Sequence, residues 1–207
     1  MAILSQEFYQ KSTLAAAPAL LGKYLVRQLD GEILAGRILE TEAYLGQGDR
    51  ACHARGGVPT ARTAVMFGPP GRAYIYMIYG MYHCLNLVTE PEGQAAAVLI
   101  RALEPAAGLE GLCRRRYGEN PLTPARRRGL LNGPGKDCQA LGLTRAETGV
   151  SLEGPSLFVC DSLRDAGLPE QPRPEKERLC RGPRIGIDYA GEARDFPWRF
   201  WLEKEEQ

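Results

Sequence analysis

A chain of 207 residues with six cysteines and a formal net charge of +1 is long enough to bury a core without metal or disulfide staples, and it carries no global field that would announce a polyanionic partner. The cysteines stand at positions 52, 84, 113, 138, 160 and 180, never closer than 20 residues and without a CxxC pair, which excludes zinc-ribbon spacing and a small disulfide scaffold. The opening MAILSQEFYQ lacks the basic and apolar regions of a signal peptide, and no apolar run approaches the roughly 18 residues of a membrane span, so a cytoplasmic protein with no membrane partner is expected.

Charge is nevertheless unevenly placed. Arg101 to Arg145 holds nine Lys and Arg against four Asp and Glu. Of the 26 basic residues 21 are arginine, the better bidentate phosphate ligand. A G- and C-rich genome would explain that composition, but it explains the clustering less well.

In chain order, Ser12 to Leu21 predicts a short helix with Ser12 as N-cap, Gly22 past its end and Pro18 inside. Tyr24 to Leu29 and Ile33 to Tyr44 predict a hairpin turning at Asp30-Gly31, since Asp-Gly is a strong turn signal. The two-residue period of the second strand puts Ile38, Glu40, Glu42 and Tyr44 on one face. Paired strand acids are ordinarily just solvated, so alone they say little. QGDRACHARGGVPTART has the Gly, Asp and Pro density of an ordered loop and carries one of two histidines, His53.

Ala73 to Ile78 and Met81 to Val88 predict a second hairpin joined by Tyr79 and Gly80, with Tyr74, Tyr76 and Ile78 sharing one side and Tyr79 near the tip. Two readings stand open: ordinary sheet aromatics, or a stacking platform with a protruding wedge. Cys52-His53 and His83-Cys84 invite a zinc hypothesis, but adjacent residues of a strand point to opposite faces and the pairs lack the usual spacer, so no metal is expected.

Ala95 to Leu103 reads as a buried-type strand that ends with Arg101 and Glu104, and Arg101, a charge in an apolar run, needs a specific partner. Gly108 to Arg116 predicts a helix. A loop bearing Arg126, Arg127 and Arg128 then leads into a helix starting near Lys136. GPGK is no Walker A loop, because Asp137 stands where Ser or Thr is required, yet a helix start with a lysine can meet a phosphate or be a plain junction. Short strands around Phe158 and Ile185, a Pro-rich loop and a final PWRFWL strand complete a mixed α+β chain, residues 1–207, with no linker long enough to split it.

Together RILETEAYLG, the CHARGG loop, GRAYIYMIYGMYHCLN and VLIRALEP resemble the alkyladenine (3-methyladenine) DNA glycosylase family. The likeness continues in order through GPGKDCQALGL, RIGIDYAGE and PWRF, over nearly the whole chain. It implies a single compact domain with a curved antiparallel sheet, a projecting β-hairpin and peripheral helices. It also implies base excision from duplex DNA by a monomer without cofactor or metal, leaving an abasic site, with alkylated purines such as 3-methyladenine, and hypoxanthine or ethenoadenine, as substrates.

Carried over by position, the resemblance implies that Glu42 is the general base and that Arg101 helps hold the attacking water. Tyr44, His53 and Tyr76 would wall the base pocket, and Asn86 would police the purine edge. Tyr79 would enter the duplex with Met81 beside it. The phosphate contacts expected at Arg126, Arg127, Arg128 and Lys136 rest on charge clustering instead. Cys52, Ala54 and His83 are mild departures from the family pattern. A non-catalytic nucleic-acid binder would leave Glu40 and Glu42 unexplained, and a small-molecule enzyme would make the arginine cluster incidental.

Overall fold

The computed structural model describes residues 3–172 and 176–205. Two short helices come first, α1 (Gln6–Tyr9) and α2 (Thr13–Ala19), the second beginning after Ser12 as its sequence predicts. Strands β1 (Tyr24–Leu29) and β2 (Glu32–Leu45) follow. Asp30 and Gly31 both take positive φ, the requirement of a two-residue type I′ hairpin, and Leu29 pairs directly with Glu32.

A second hairpin, β3 (Ala73–Ile78) and β4 (Tyr82–Val88), leads to the long strand β5 (Ala96–Ala107). Helices α3 (Leu109–Tyr117), α4 (Pro124–Arg128) and α5 (Pro134–Ala140) come next, then strands β6 (Leu157–Cys160), β7 (Glu177–Gly182) and β8 (Arg199–Lys204). All pairings are antiparallel, in the order β3-β4-β5-β2-β1-β6, with β8 joining β2 and β7. The mixed architecture agrees with the sequence reading. Among the described residues no helix is long and apolar enough to cross a membrane.

Length explains how β2 can serve three neighbours. Its first half pairs with β1, Glu40 to Glu42 pair with β8, and β5 runs along its other edge. One face of this sheet buries Leu25, Leu34, Val98, Ile100 and Leu103 in a core that includes Ala16 and Ala17 of α2, Leu112 of α3 and Cys138 of α5. Each such fully buried aliphatic side chain contributes about 1.5–3 kcal/mol. The other face, covered by the loop after β2, carries a smaller cluster of Tyr74, Val88, Ala97, Cys52 and Met66.

Four details differ from the sequence reading. Ile38 does not share a face with Glu40, Glu42 and Tyr44. The ladder steps from Ile38↔Leu103 to Glu40↔Ala102 to Thr41↔Ile100, so Leu39 on β2 and Arg101 on β5 have no rung. These irregularities reset the alternation: Ile38 and Ala43 enter the main core, and Thr41 donates a buried hydrogen bond to the Ala17 carbonyl of α2.

The connection at the second hairpin has three residues rather than two, because Ile78 pairs with Tyr82 and Met81 stands outside the ladder. The segment around Ile185 is not a strand, since Pro183 interrupts it and Gly186 takes φ 75°; the strand lies earlier, at β7. Arg126 to Arg128 form one helical turn rather than loop, because Thr123 caps the Arg126 N–H and Pro124 fits a first helical position. Part of the expected Pro-rich loop, residues 173–175, lies outside the described residues.

Candidate active site

The open face of the sheet forms the floor of a cleft of about 780 Å³, lined among others by Tyr44, His53, Tyr76, Asn86, Arg101 and Ile185. Gly46 lets the chain leave β2 toward the covering loop: its N–H reaches the Ala95 carbonyl, and a Cβ there would collide with that oxygen.

Glu42 lies beneath this floor with its side chain wholly buried. Its Oε1 accepts from the Ile185 backbone N–H at 2.8 Å and sits 3.4 Å from an Arg101 guanidinium nitrogen, while Oε2 accepts from the Tyr44 hydroxyl at 2.7 Å. An ionised carboxylate offers about four acceptor positions and two are taken by these hydrogen bonds, which leaves room for a further donor such as water beside Arg101. Burial pushes the Glu42 pKa up, and Arg101, the Ile185 N–H and the Tyr44 hydroxyl only partly offset it.

Glu40, two residues away, has a different environment. It stands 3.3 Å from Arg101 Nε and accepts from Arg199 at 2.9 Å, which makes it a bridge between two arginines. The two carboxylates of the strand thus both engage the Arg101 side chain, which the unpaired position on β5 directs toward them.

The aromatic walls are fixed in turn. His53 packs edge-on against Tyr76, with ring centroids 4.5 Å apart, and Tyr74 and Tyr76 lie 5.7 Å apart on neighbouring positions of the same strand face. Arg62 can only donate, so His53 Nε2 accepts from it at 3.1 Å, and Nδ1–H donates to the Tyr74 hydroxyl at 2.8 Å. The imidazole is therefore neutral, in keeping with a pKa brought down to about 4 by burial and by Arg62 and Arg55.

Asn86 is buried, with its Nδ2 donating to the carbonyls of Tyr74 and Cys84 at 3.1 and 3.3 Å, so the amide cannot swing aside. At the far end of the same strands, Tyr79 and Gly80 both take positive φ and lift the hairpin tip off the sheet. Tyr79 is 82% exposed and Met81 66% exposed.

A model of the methylpurine-DNA glycosylase family matches residues 7–206. Relatives from Bacillus cereus (strain Q1) and Bacillus thuringiensis (strain Al Hakam), named provisionally as 3-methyladenine DNA glycosylases, are each 49% identical over 197 residues, covering 95% of this chain and 93% of theirs. One from Bacillus mycoides, named in the same way, is 49% identical over 198 residues, covering 95% of this chain and 94% of its own. The chain belongs to the methylpurine-DNA glycosylase family.

Within this family member the cleft brings Tyr44, His53, Tyr76, Asn86 and Arg101 together above the buried Glu42, and the hairpin carries Tyr79 and Met81 at its exposed end. It does not bring Arg126, Arg127, Arg128 or Lys136 into the cleft wall. Arg126 is turned onto the Pro121 carbonyl and the Tyr117 ring, and Lys136 donates to Asn132. Only the start of α5, at Pro134 and Gly135, reaches the cleft.

Sequence reasoning passed over two features of the site. The Ile185 peptide N–H is a backbone group with no side-chain signature. Asp49 and Arg184 form a bidentate ion pair, at 2.6 and 2.8 Å, with neither side chain exposed. Arg184 also donates to the carbonyls of Ala43 and Ala193 and stacks on Tyr44 and Trp198, so it clamps the Ile185 segment onto β2. A backbone N–H, and an isolated acid and arginine in loops, carry no spacing signal, so only the fold reveals these two.

Proposed function

We propose that this chain is a 3-methyladenine DNA glycosylase of base-excision repair, which extrudes an alkylated purine from duplex DNA and hydrolyses its N-glycosidic bond. The observation that carries the reading is the buried Glu42 carboxylate under an aromatic cleft, hydrogen-bonded by the Ile185 N–H and the Tyr44 hydroxyl and faced by Arg101. In this reading Glu42 takes the proton of a water that attacks the anomeric carbon as the base departs, and its charge steadies the oxocarbenium character of the sugar. A raised pKa makes it a stronger base than an ordinary glutamate. Arg101, held at Glu40 and Glu42, orients the water. Because no lysine nucleophile is involved, the product is an intact strand with an abasic site.

Unstacking a base costs a few kcal/mol, least when the base is damaged or mispaired. Tyr79, with Met81 beside it, fills the gap in the duplex, and Tyr44, His53 and Tyr76 receive the extruded base, where stacking returns about 1–3 kcal/mol. Asn86, pinned by two carbonyls, presses on the purine edge and keeps out the exocyclic amino group of guanine. Arg126, Arg127, Arg128 and Lys136 meet phosphates of the same duplex. The whole chain acts as one domain, a monomer in the cytoplasm beside the nucleoid, without metal or cofactor.

The test is incubation with duplexes bearing one 3-methyladenine, ethenoadenine or hypoxanthine, with release of the free base followed by chromatography. Base release with an alkali-labile site left in the strand is expected for 3-methyladenine. Tight binding of all three with no base released would leave a stacking module and sink the glycosylase reading.

A further inference from the structure

Two guanidinium groups, Arg62 and Arg101, line the cleft, and a third, Arg184, lies buried behind Tyr44; Arg101 and Arg184 are neutralised. Arg101 stands within 3.4 Å of Glu42 and 3.3 Å of Glu40, and Arg184 is paired with Asp49. Arg62 is different. Its guanidinium lies over the Tyr76 ring, 5.2 Å from the centroid, and bonds His53 Nε2, and among the described residues no carboxylate stands at ion-pair distance from it. Arg55, on the same loop and bonded to the Arg50 carbonyl, adds to the positive field felt by His53. The aromatic walls thus already hold cations: Arg62 on Tyr76 and Arg184 on Tyr44.

We propose that Arg62 is a specificity-determining residue of the base pocket, whose uncompensated charge disfavours cationic purines and favours uncharged lesions that present an acceptor atom. An electron-rich tyrosine face attracts a cation, but here a resident cation has taken that place. A positively charged purine entering beside Arg62 meets like-charge repulsion, while a neutral purine with a carbonyl or ring nitrogen at the same edge gains a donor. Cationic lesions are removed because their glycosidic bond is weak, not because the pocket holds them well. The same guanidinium keeps His53 in the neutral tautomer that donates to Tyr74, which makes Arg62 a positioning residue for the wall as well.

This inference rests on the proposed function, and its test separates the two. Dissociation constants are measured in a Glu42→Gln background for duplexes carrying one 3-methyladenine, which is cationic in DNA, or its uncharged isostere 3-methyl-3-deazaadenine, with an undamaged duplex as reference. Replacing Arg62 by Met should shift the ratio of the two affinities toward the cation, on the order of fivefold for unit charges about 5 Å apart near water. Arg62→Lys, which keeps the charge, should leave the ratio within about twofold of its starting value.

An Arg62→Met protein that binds all three duplexes more weakly by the same factor would make Arg62 a phosphate contact and overturn the proposal. So would equal tightening of both lesions, which marks a steric plug instead. If the Arg62 protein shows no preference for either lesion over undamaged DNA, the proposed function itself fails; Glu42→Gln releasing base at the native rate would remove the role given to Glu42 and leave the glycosylase activity standing.

Discussion

At the floor of the cleft Glu42, Tyr44 and Arg184 are held by hydrogen bonds to one another or to backbone, Arg101 faces Glu40 and Glu42 at 3.3 and 3.4 Å, and three separate segments of the chain converge there. At the hairpin tip, on strands that leave the same cleft, Tyr79, Met81 and Tyr82 expose large apolar surface. The first region spends its polar groups on each other, so its geometry is fixed before any substrate arrives. The second leaves apolar side chains in water, a cost recovered only when something covers them. One region is finished by the fold and the other by its partner, and substitutions should therefore read out differently in the two.

The largest effect is expected at Glu42. Glu42→Gln keeps the shape and one acceptor oxygen for the Ile185 N–H, with the Tyr44 hydroxyl turned to accept from the amide, but cannot take a proton, and single-turnover excision should fall by about 10²- to 10⁴-fold while lesion-duplex affinity survives. Its pH profile supplies a second reading. Because the folded pKa of Glu42 is raised, base-catalysed excision should fail on acidification at a pH above the ordinary carboxylate range, with rate rising as Glu42 loses its proton. Glu40→Gln, which disturbs only the arginine bridge, should cost far less; the reverse ranking would overturn the assignment of the two acids.

Next in size is Arg184→Met. It leaves Asp49 buried without its partner, and urea unfolding should show a loss of about 3–5 kcal/mol. Loss of excision at temperatures where the variant remains folded would follow from release of the Ile185 N–H. A third and smaller effect belongs to the other region: Tyr79→Ala should change folding stability by less than about 0.5 kcal/mol, since its side chain is largely in solvent. Its excision defect should shrink when the lesion sits opposite an abasic site, because extrusion is then cheaper. A uniform loss on every substrate would instead make Tyr79 part of the pocket.

The smallest change is expected from neutralising Arg126, Arg127 and Arg128 together. Binding to lesion and plain duplex should weaken alike, and the slope of log affinity against log salt should flatten by roughly one unit for each phosphate that no longer meets an arginine. An unchanged slope would confine DNA contact to the cleft and the hairpin.

Much of this was legible in the residues because periodicity and turn chemistry are local. Asp-Gly marked the first hairpin, Tyr79-Gly80 marked the tip, and a two-residue period put Glu40, Glu42 and Tyr44 on one face. Ile38 escaped because a ladder irregularity has no compositional mark, and its effect is to swap faces for everything beyond it. The strand expected around Ile185 is absent, because Pro183 and the left-handed Gly186 make it a loop whose backbone reaches Glu42. Arg62, Arg184 and Asp49 acquire meaning only from neighbours distant in sequence. The Thr123-Pro124 pair, by contrast, was a readable helix start, and the weight of three arginines obscured it.

The hydrogen bond between Glu42 and the Ile185 N–H joins groups 143 residues apart. Closing a loop of that size costs about 2 kcal/mol more in chain entropy than a turn of roughly ten residues. Contacts of such long range form late, so β2 and its hairpin partner can assemble well before the carboxylate acquires its third neighbour. A nascent chain still lacking the segment around Arg184 and Ile185 would present the tyrosines but hold Glu42 in the wrong setting. Competence thus reports on completed folding: the molecule gains its chemistry only when the two distant stretches have met.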